Sequence, residues 1–260
     1  MAGTTAPARR AMDYWLLNHR SAWRLGLVTG LLLPALYLGA MGLGLGGLVD
    51  NGTGARHLGG QTYLQFLAPG LLAASAMQTA MGESTWPIGN AMRWSRSYHA
   101  MAATPLRPVD LMLGQLMFVA VRVALSAALF AVVAALFGAW SSPWAVMCVP
   151  VAVLCGLAHA APAAAFSVGR KHDHAYVALQ RFVVMPMFLF SGTFFPISQL
   201  PIAVQPIAWC TPLWHAVALC RDLAAGHSGA ADYGHLGVLT LWLVLGAWVA
   251  AREHQKALAQ

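Results

Sequence analysis

Long runs of apolar residues constrain the fold of this chain more than any other feature. A membrane-spanning α-helix needs about 20 consecutive, mostly apolar residues, and residues 25–49 form such a run without a charged side chain. Over the whole chain, 59% of the 260 residues are hydrophobic and only 9% are charged. Soluble domains carry about a quarter charged residues, and helices satisfy their own backbone groups in lipid. The sequence therefore predicts an all-α integral membrane protein.

Polar or proline-rich connections divide the apolar sequence into six predicted spans within one transmembrane domain, residues 1–260. The predicted spans cover about residues 25–49, 63–86, 111–140, 144–168, 182–195 and 236–251. Prolines punctuate the apolar segment at about residues 196–220, so it cannot form one uninterrupted helix. Irregular backbone at membrane depth is tolerated only inside protein or beside water. This segment is therefore predicted to form broken, re-entrant helices on the outer side.

The sequence before the first span is amphipathic. Over about residues 9–24, Met12, Trp15, Leu16 and Trp23 share one helical face, while charged side chains point elsewhere. Such a pattern is typical of a helix that lies in the headgroup layer. We therefore predict an N-terminal interfacial helix.

An arginine-rich connection, residues 90–110, lies between the second and third predicted spans. It contains Arg93, Arg96 and Arg107, with no acidic residue before Asp110. Short positive loops are retained on the cytoplasmic side of a membrane, which fixes the predicted orientation of the chain. Within the connection, one helical stripe predicts a short amphipathic helix that could dock on another protein: Met92, Ser95, His99 and Ala103, with Arg96 beside it.

The remaining charges agree with this orientation. It places twelve of the fifteen Lys and Arg residues, and both termini, on the cytoplasmic side. Arg56 and Arg221 fall outside, in predicted outer loops, and Arg122 falls within the bilayer. Positive loops beside anionic lipid account for the formal charge of +7, so membrane lipid is an expected partner and nucleic acid is not.

Several buried polar residues allow two interpretations. Arg122 costs about 2.5–3.5 kcal/mol within the bilayer, so it either contacts a substrate headgroup or is a structural cation that snorkels inward or pairs with Glu83. His159 is either a hydrogen-bonded packing residue, which we expect, or a ligand-binding residue. Buried free thiols are expected for Cys148 and Cys155, while a bridge between Cys210 and Cys220 remains open.

Two motifs resemble the permease subunits of ABC-2 type exporters. The run YHAMAATPLRPVDLMLGQ at residues 98–115 is similar to the Y-A-M-x-A-T-P-L…D…G signature of the nodulation protein J and daunorubicin-resistance branch. The run FLFSGTFFPISQLPIAVQPIAWCTPLWHAVALCRDL at residues 188–223 resembles the SG-x-F-F-P…LP…P-L-x-H…R segment of the same branch. With the span pattern, the resemblance covers nearly the whole chain.

The resemblance implies a multi-pass permease subunit of the bacterial inner membrane rather than an enzyme. It implies two copies of a cytoplasmic ABC ATPase and a second permease subunit, identical or paralogous. No G-x-x-x-x-G-K-[ST] motif occurs in this sequence, so no cofactor is expected on this chain, and ATP and Mg²⁺ belong to the ATPase. The resemblance makes the connection between spans 2 and 3 the coupling helix that enters the ATPase, with these candidate residues: Met92, Arg93, Arg96, Tyr98, Met101, Thr104, Pro105 and Leu106.

The predicted cargo is amphipathic: a glycolipid, a lipo-oligosaccharide or a hydrophobic drug, moved outward. Candidate residues of its path are Arg122, Phe190, Phe194 and Phe195. The alternative is an intramembrane lipid-modifying enzyme with a polar centre at His159 and Arg122, although the sequence carries no recognisable catalytic motif. No metal site is predicted, because the histidines of the HDH run at residues 172–174 lie in a charged, solvated loop.

Overall fold

The computed structural model describes residues 5–20, 32, 34–51, 60–227 and 229–259, and these residues form helices and turns with no strand among them. π-helical turns Leu38–Leu45 and Gln180–Val184 and 3₁₀ turns Pro143–Met147 and Ile197–Gln199 accompany the α-helices. We name the α-helices α1 Thr5–His19, α2 Gly46–Asp50, α3 Tyr63–Ser84, α4 Trp86–Arg93, α5 Ser97–Ala102, α6 Pro108–Leu136, α7 Cys148–Val168, α8 His174–Leu179, α9 Met185–Phe190, α10 Gln205–Trp209, α11 Pro212–Ala225 and α12 Ala230–Leu258.

Within the described ranges, three helical segments are long and apolar enough to cross a membrane by length and composition. They are Pro108–Leu136, Pro143–Val168 and Ala230–Leu258, with mean hydropathies of 2.4, 1.9 and 1.7. Helix α3 has 22 residues and is about 33 Å long at 1.5 Å per residue, but it is more polar. A shorter apolar helix covers His174–Phe190.

Several helices differ in their bounds from the predicted spans. The span predicted at residues 111–140 corresponds to Pro108–Leu136, since Pro108 suits a first helical turn and the backbone N–H of Arg107 donates to Asp110 Oδ2 (3.0 Å). The span predicted at residues 236–251 is longer, Ala230–Leu258, because polar residues continue the helix at both ends. Residues 21–31 and 33 of the predicted first span and interfacial helix lie outside the described residues.

The fifth predicted span also shifts. Its helix begins at His174 and ends at Phe190, rather than covering residues 182–195. Gly192 adopts a φ of +83°, a left-handed conformation that favours glycine and ends helices. Bends then replace the helix over residues 191–195.

The N-terminal helix packs on protein. Trp15 of α1 is only 3% exposed, and its ring stacks on Phe118 of α6 at a centroid distance of 6.0 Å. The Tyr14 hydroxyl donates to Ser97 Oγ (2.9 Å). The face predicted to rest in the headgroup layer is therefore split, because Trp15 is buried against α6 while Leu16 is 40% exposed.

Helix α3 lies inside the bundle. It packs against α6, α7 and α11, and many of its buried residues are alanines or glycines, which allow helices to approach closely. Its start is fixed by Thr62, whose Oγ1 accepts from the Gln65 N–H (3.3 Å) while the Gln65 side chain accepts from the Thr62 N–H. This central helix therefore connects the two ends of the bundle.

We call the end of the bundle that holds α4, α5 and the last turns of α12 the arginine end. The end that holds the first turn of α3 and the broken segment 191–211 is the opposite end. Tyr98 contacts His254 at the arginine end (6.0 Å between ring centroids). At the opposite end, the Tyr63 hydroxyl donates to the Phe194 carbonyl (3.3 Å).

Candidate functional site

The arginine-rich connection is two helices with a sharp break between them. The break covers Trp94–Arg96, where Arg96 adopts a left-handed φ of 50°. The N–H groups of Trp94 and Ser95 both donate to the Asn90 carbonyl, and so does Ser95 Oγ. The single amphipathic helix predicted through Ser95 is therefore wrong, because the local serine turn ends α4 before α5 begins.

Tyr98 differs most from its predicted position at this end, because it is buried. Its side chain is 0% exposed, and its ring contacts Trp15 of α1 edge-on at 6.0 Å. Burial raises the pKa of Tyr98, so the phenol stays neutral. The prediction that Tyr98 contacts an ATPase does not fit this structure, because its bulky ring packs between α1 and α12.

The other predicted coupling residues divide into an inner layer and an exposed rim. Met92, Arg93, Met101 and Leu106 are half-buried. The rim consists of exposed residues on the break, within α5 and after α5, and its Trp94 is 75% exposed. We call these exposed residues the rim: Trp94, Ser95, Arg96, His99, Ala103, Thr104 and Pro105.

Trp94 was missed as a candidate contact. It lies at the break between α4 and α5, and the helical stripe predicted for this connection did not include it. An aromatic residue flanked by arginines in a loop is also the composition of a protein contact. This composition was the sequence signal that could have identified Trp94 as a contact residue.

Arg93 ties the connection to the second basic loop. Its Nη2 forms an ion pair with the Asp173 carboxylate, its Nη1 donates to the Lys171 carbonyl (3.3 Å), and its guanidinium lies 5.5 Å from the centre of the Tyr176 ring. The Tyr176 hydroxyl donates to the Ser167 carbonyl (3.0 Å). Both predicted cytoplasmic loops therefore meet at the arginine end.

Arg122 has the partner that one interpretation predicted. Its Nε lies 3.1 Å from Glu83 Oε1, and the two side chains are 20% and 16% exposed. The Gln115 amide donates to the Glu83 carbonyl (2.7 Å). Burial, with a smaller effect of Arg122, lowers the pKa of nearby His19. The predicted pairing of Arg122 with Glu83 is confirmed, and its contact with a substrate headgroup stays a prediction.

Arg221 corrects the predicted outer loop. It lies in α11 and points inward: Nε donates to the Phe66 carbonyl (3.2 Å), and Nη2 donates to the carbonyls of Gly192 (2.6 Å) and Thr193 (3.1 Å). Its guanidinium lies 3.6 Å from the centre of the Phe66 ring. The outer loop predicted to contain Arg221 is mostly helix, because α11 continues to Ala225 before Gly226 ends it, and α12 begins at Ala230.

The predicted path phenylalanines have three different surroundings. Phe190 lines an apolar cavity of about 310 Å³ between α9 and α10. Phe194 packs edge-on against Phe188 at 5.1 Å, whereas Phe195 packs on the small cluster around Ile197. Only Phe190 of these three lines that cavity.

The residues of the alternative enzyme hypothesis have separate partners. His159 is buried, with Nδ1 2.7 Å from the Cys155 carbonyl oxygen, as its packing role predicts. Arg122 pairs with Glu83 instead. Cys148, Cys155, Cys210 and Cys220 are all free, so the possible bridge between the last two is not formed. Because His159 bonds to Cys155 and Arg122 pairs with Glu83, the two residues do not form the common polar centre that the enzyme hypothesis requires.

The three long apolar helices indicate an integral membrane protein. The family described as ABC-2 type transporter matches residues 12–223. Nodulation protein J of Rhizobium leguminosarum bv. trifolii is 33% identical over 235 residues, 89% of this chain and 87% of that protein. Nodulation protein J of Neorhizobium galegae is 30% identical over 261 residues, 96% of this chain and 97% of that protein. No solved structure matches the chain.

The chain therefore belongs to the ABC-2 type transporter family. The family predicted from the motifs at residues 98–115 and 188–223 is confirmed. Membership makes the chain a membrane permease that works with an ABC ATPase partner.

Proposed function

We propose that this chain is the membrane-spanning permease subunit of an ABC exporter. In this proposal it has six spans, both termini lie in the cytoplasm, and it pairs with a second permease and two ATPase chains. The observation that carries the proposal is the family match over residues 12–223. The meeting of the two basic loops through Arg93 and Asp173 supports a common cytoplasmic side, because positive short loops are retained there.

The rim is the proposed ATPase contact. It combines an exposed aromatic side chain, Trp94, with the strained Arg96 backbone and the exposed Thr104–Pro105 turn. Aromatic and arginine side chains dominate the energy of many protein interfaces. The inner layer behind the rim, including buried Tyr98, would pass movement of the ATPase to α1 and α12.

The proposed cargo is an amphipathic molecule with a lipid-like part, either a glycolipid or lipo-oligosaccharide or a hydrophobic drug. The apolar cavity beside Phe190 suits an apolar group. The charge of Arg122 is balanced by Glu83. The surface of these helices therefore carries little net charge, which suits a cargo with an apolar part. The relatives named nodulation protein J make the lipo-oligosaccharide the first class to test.

The test of this function is co-purification followed by reconstitution. The full chain, purified from its native membranes, is expected to bring an ABC ATPase with it. In vesicles, the ATPase activity of the complex should rise with lipo-oligosaccharides or glycolipids, or with hydrophobic cations. Stimulation only by small hydrophilic solutes would refute the proposed cargo, and absence of an ATPase would refute the subunit role.

The rim is tested by Trp94→Ala. An interface aromatic can contribute about 2 kcal/mol or more, so a loss of about 30-fold or more in ATPase affinity is expected. Trp209→Ala is the matched control, because Trp209 is also exposed, at 47%, but lies in α10 at the opposite end. Equal affinities for the two variants would place the docking surface elsewhere.

A further inference from the structure

An open groove of about 450 Å³ lies between α7 and α12 and extends to the arginine end. It is separate from the rim and from the cavity beside Phe190. One end carries charged residues, Arg170 and Glu253, and the rest is apolar. The apolar lining residues are Pro162, Ala165 and Phe166 of α7 and Trp242, Leu245, Gly246 and Val249 of α12.

The groove follows from a close approach of its two helices. A Cβ on Gly246 would lie 2.6 Å from Cδ of Pro162, so the helices touch where only glycine fits. Next to this contact, Ala165 contributes a single methyl group to the groove. The side chains of Leu245 and Val249 remain exposed, at 53% and 40%. An apolar channel is therefore left open on the surface.

The charged end of the groove is positive. The Nε of Arg170 donates to the Phe166 carbonyl (3.2 Å), and its guanidinium lies 4.3 Å from the centre of the Phe166 ring. These contacts hold the arginine in place but use one of its five N–H donors. Glu253 forms an ion pair with Lys256 (2.7 Å), so its charge is already balanced. Among the described residues, Arg170 forms no ion pair.

The dimensions of the groove match one leaflet of a bilayer. Its α12 side extends from Trp242 to Glu253, which is about 16 Å at 1.5 Å per residue. Half of the hydrocarbon core is about 15 Å thick. A single acyl chain crossing one leaflet would therefore lie along the apolar part with its headgroup at the level of Arg170.

We propose that this groove binds one anionic glycerophospholipid of the leaflet at the arginine end. An acyl chain packs along the groove, and the Nη groups of Arg170 donate to its phosphate. Basic pockets between transmembrane helices hold anionic headgroups in this way. The inference depends on α7 and α12 crossing the membrane, as their length and hydropathy indicate, and it is independent of which cargo is transported.

The test is lipid retention by the purified full chain, measured by native mass spectrometry. The probes are phosphatidylglycerol and phosphatidylcholine at equal concentration, with glycerol phosphate as a soluble competitor. The wild-type protein should retain phosphatidylglycerol preferentially, and glycerol phosphate should not displace it. Arg170→Gln should reduce the preference about fivefold, the effect of one basic residue near an anionic surface. Arg252→Gln is the control, since its guanidinium lies over Trp248 and Arg252 does not line the groove.

A second pair of variants tests the apolar part without changing charge. Val249→Trp fills the groove and should reduce the retention of both lipids, whereas Val244→Trp, at an exposed position on the same helix that does not line the groove, should not. The proposal is wrong if Arg170→Gln keeps the wild-type preference or if both tryptophan variants behave alike. It is also wrong if glycerol phosphate displaces the lipid, because the headgroup alone would then account for binding. None of these measurements requires an ATPase or a transported substrate.

Discussion

The two ends of the bundle each hold an arginine against the protein, but the partners differ. At the arginine end, Arg93 pairs with the carboxylate of Asp173 and remains partly exposed, at 23% of its side chain. At the opposite end, Arg221 donates to three backbone carbonyls, those of Phe66, Gly192 and Thr193. One arginine joins two surface loops, and the other holds irregular backbone inside the protein.

The difference follows from the state of the backbone at each end. Helix α9 ends at Phe190, so the carbonyls of the bends that follow lack donors from a next helical turn. A guanidinium supplies several N–H groups in a fixed plane, and Arg221 gives them to this segment. At the arginine end, Arg93 gives Nη2 to the Asp173 carboxylate and only Nη1 to a backbone carbonyl, that of Lys171. The comparison predicts that substitutions at inner positions lower the free energy of unfolding strongly, and that substitutions at surface ion pairs lower it only weakly.

The largest effect is expected for a charge placed in the inner layer of the arginine end. Tyr98→Asp should reduce the free energy of unfolding by about 4 kcal/mol or more at pH 7, because a buried carboxyl must remain protonated about three pH units above its ordinary pKa. The loss should shrink by about 1.4 kcal/mol for each pH unit below 7, since protonation then costs less. Thermal and denaturant unfolding in detergent would measure both.

Tyr98→Phe is the control for this experiment. The Tyr98 hydroxyl has no hydrogen-bond partner among the described residues, so its removal should change stability by less than about 1 kcal/mol. A stable Tyr98→Asp protein that has merely lost its ATPase would contradict the buried position. That result would restore the sequence-based prediction for this residue.

The next largest loss of stability is expected when the ion pair of Arg122 with Glu83 is broken. Arg122→Leu leaves the Glu83 carboxylate without its ion pair and should cost about 2.5–3.5 kcal/mol. The double variant Glu83→Leu/Arg122→Leu should recover most of this loss, because both charges are gone. Unfolding of all four proteins in detergent gives the coupling energy directly.

The same four proteins separate the two interpretations of Arg122. A stable double variant that keeps its ATPase stimulation by substrate leaves Arg122 as a structural partner of Glu83. A stable double variant without that stimulation assigns Arg122 to the substrate path. Absence of any coupling between the two substitutions would contradict the pair itself.

A smaller effect is expected at the opposite end. Arg221→Gln removes most donors to the carbonyls of Phe66, Gly192 and Thr193 and should cost about 2 kcal/mol. Arg221→Lys should recover only part of it, because an ammonium cannot reproduce the planar contact over the Phe66 ring. Hydrogen exchange should rise in residues 191–200 more than in α5, and equal rises would show that Arg221 does not hold this segment in particular.

Composition and long apolar runs predict the helical membrane fold, because the bilayer restricts the chain to few solutions. Pairing of Arg122 with Glu83 was also predictable, since an isolated charge in lipid needs a partner. Burial of Tyr98 was not, because it depends on α1 and α12, which are distant in sequence from α5. The break at Trp94–Arg96 was equally hidden, since a serine side chain and one left-handed residue overrode a regular helical stripe. Arg221 resembled a loop residue because its partners are backbone atoms, which no sequence pattern reveals.

The smallest effect is expected for the surface pair of the arginine end. Asp173→Asn removes one charge of the pair with Arg93, whose partners are 23% and 42% exposed. Exposed pairs contribute about 0.2–1 kcal/mol and are screened by salt, so the loss should be in this range at low salt and nearly absent at 1 M salt. Arg93 also donates to the Lys171 carbonyl, which should keep the two loops together.

Unfolding of the variant and the wild type at both salt concentrations measures the loss of stability. Glu253→Gln, which removes the other exposed pair, is the matched control. A salt-independent loss above about 2 kcal/mol would show that Arg93 is held as firmly as Arg221, and the contrast between the two ends would fail.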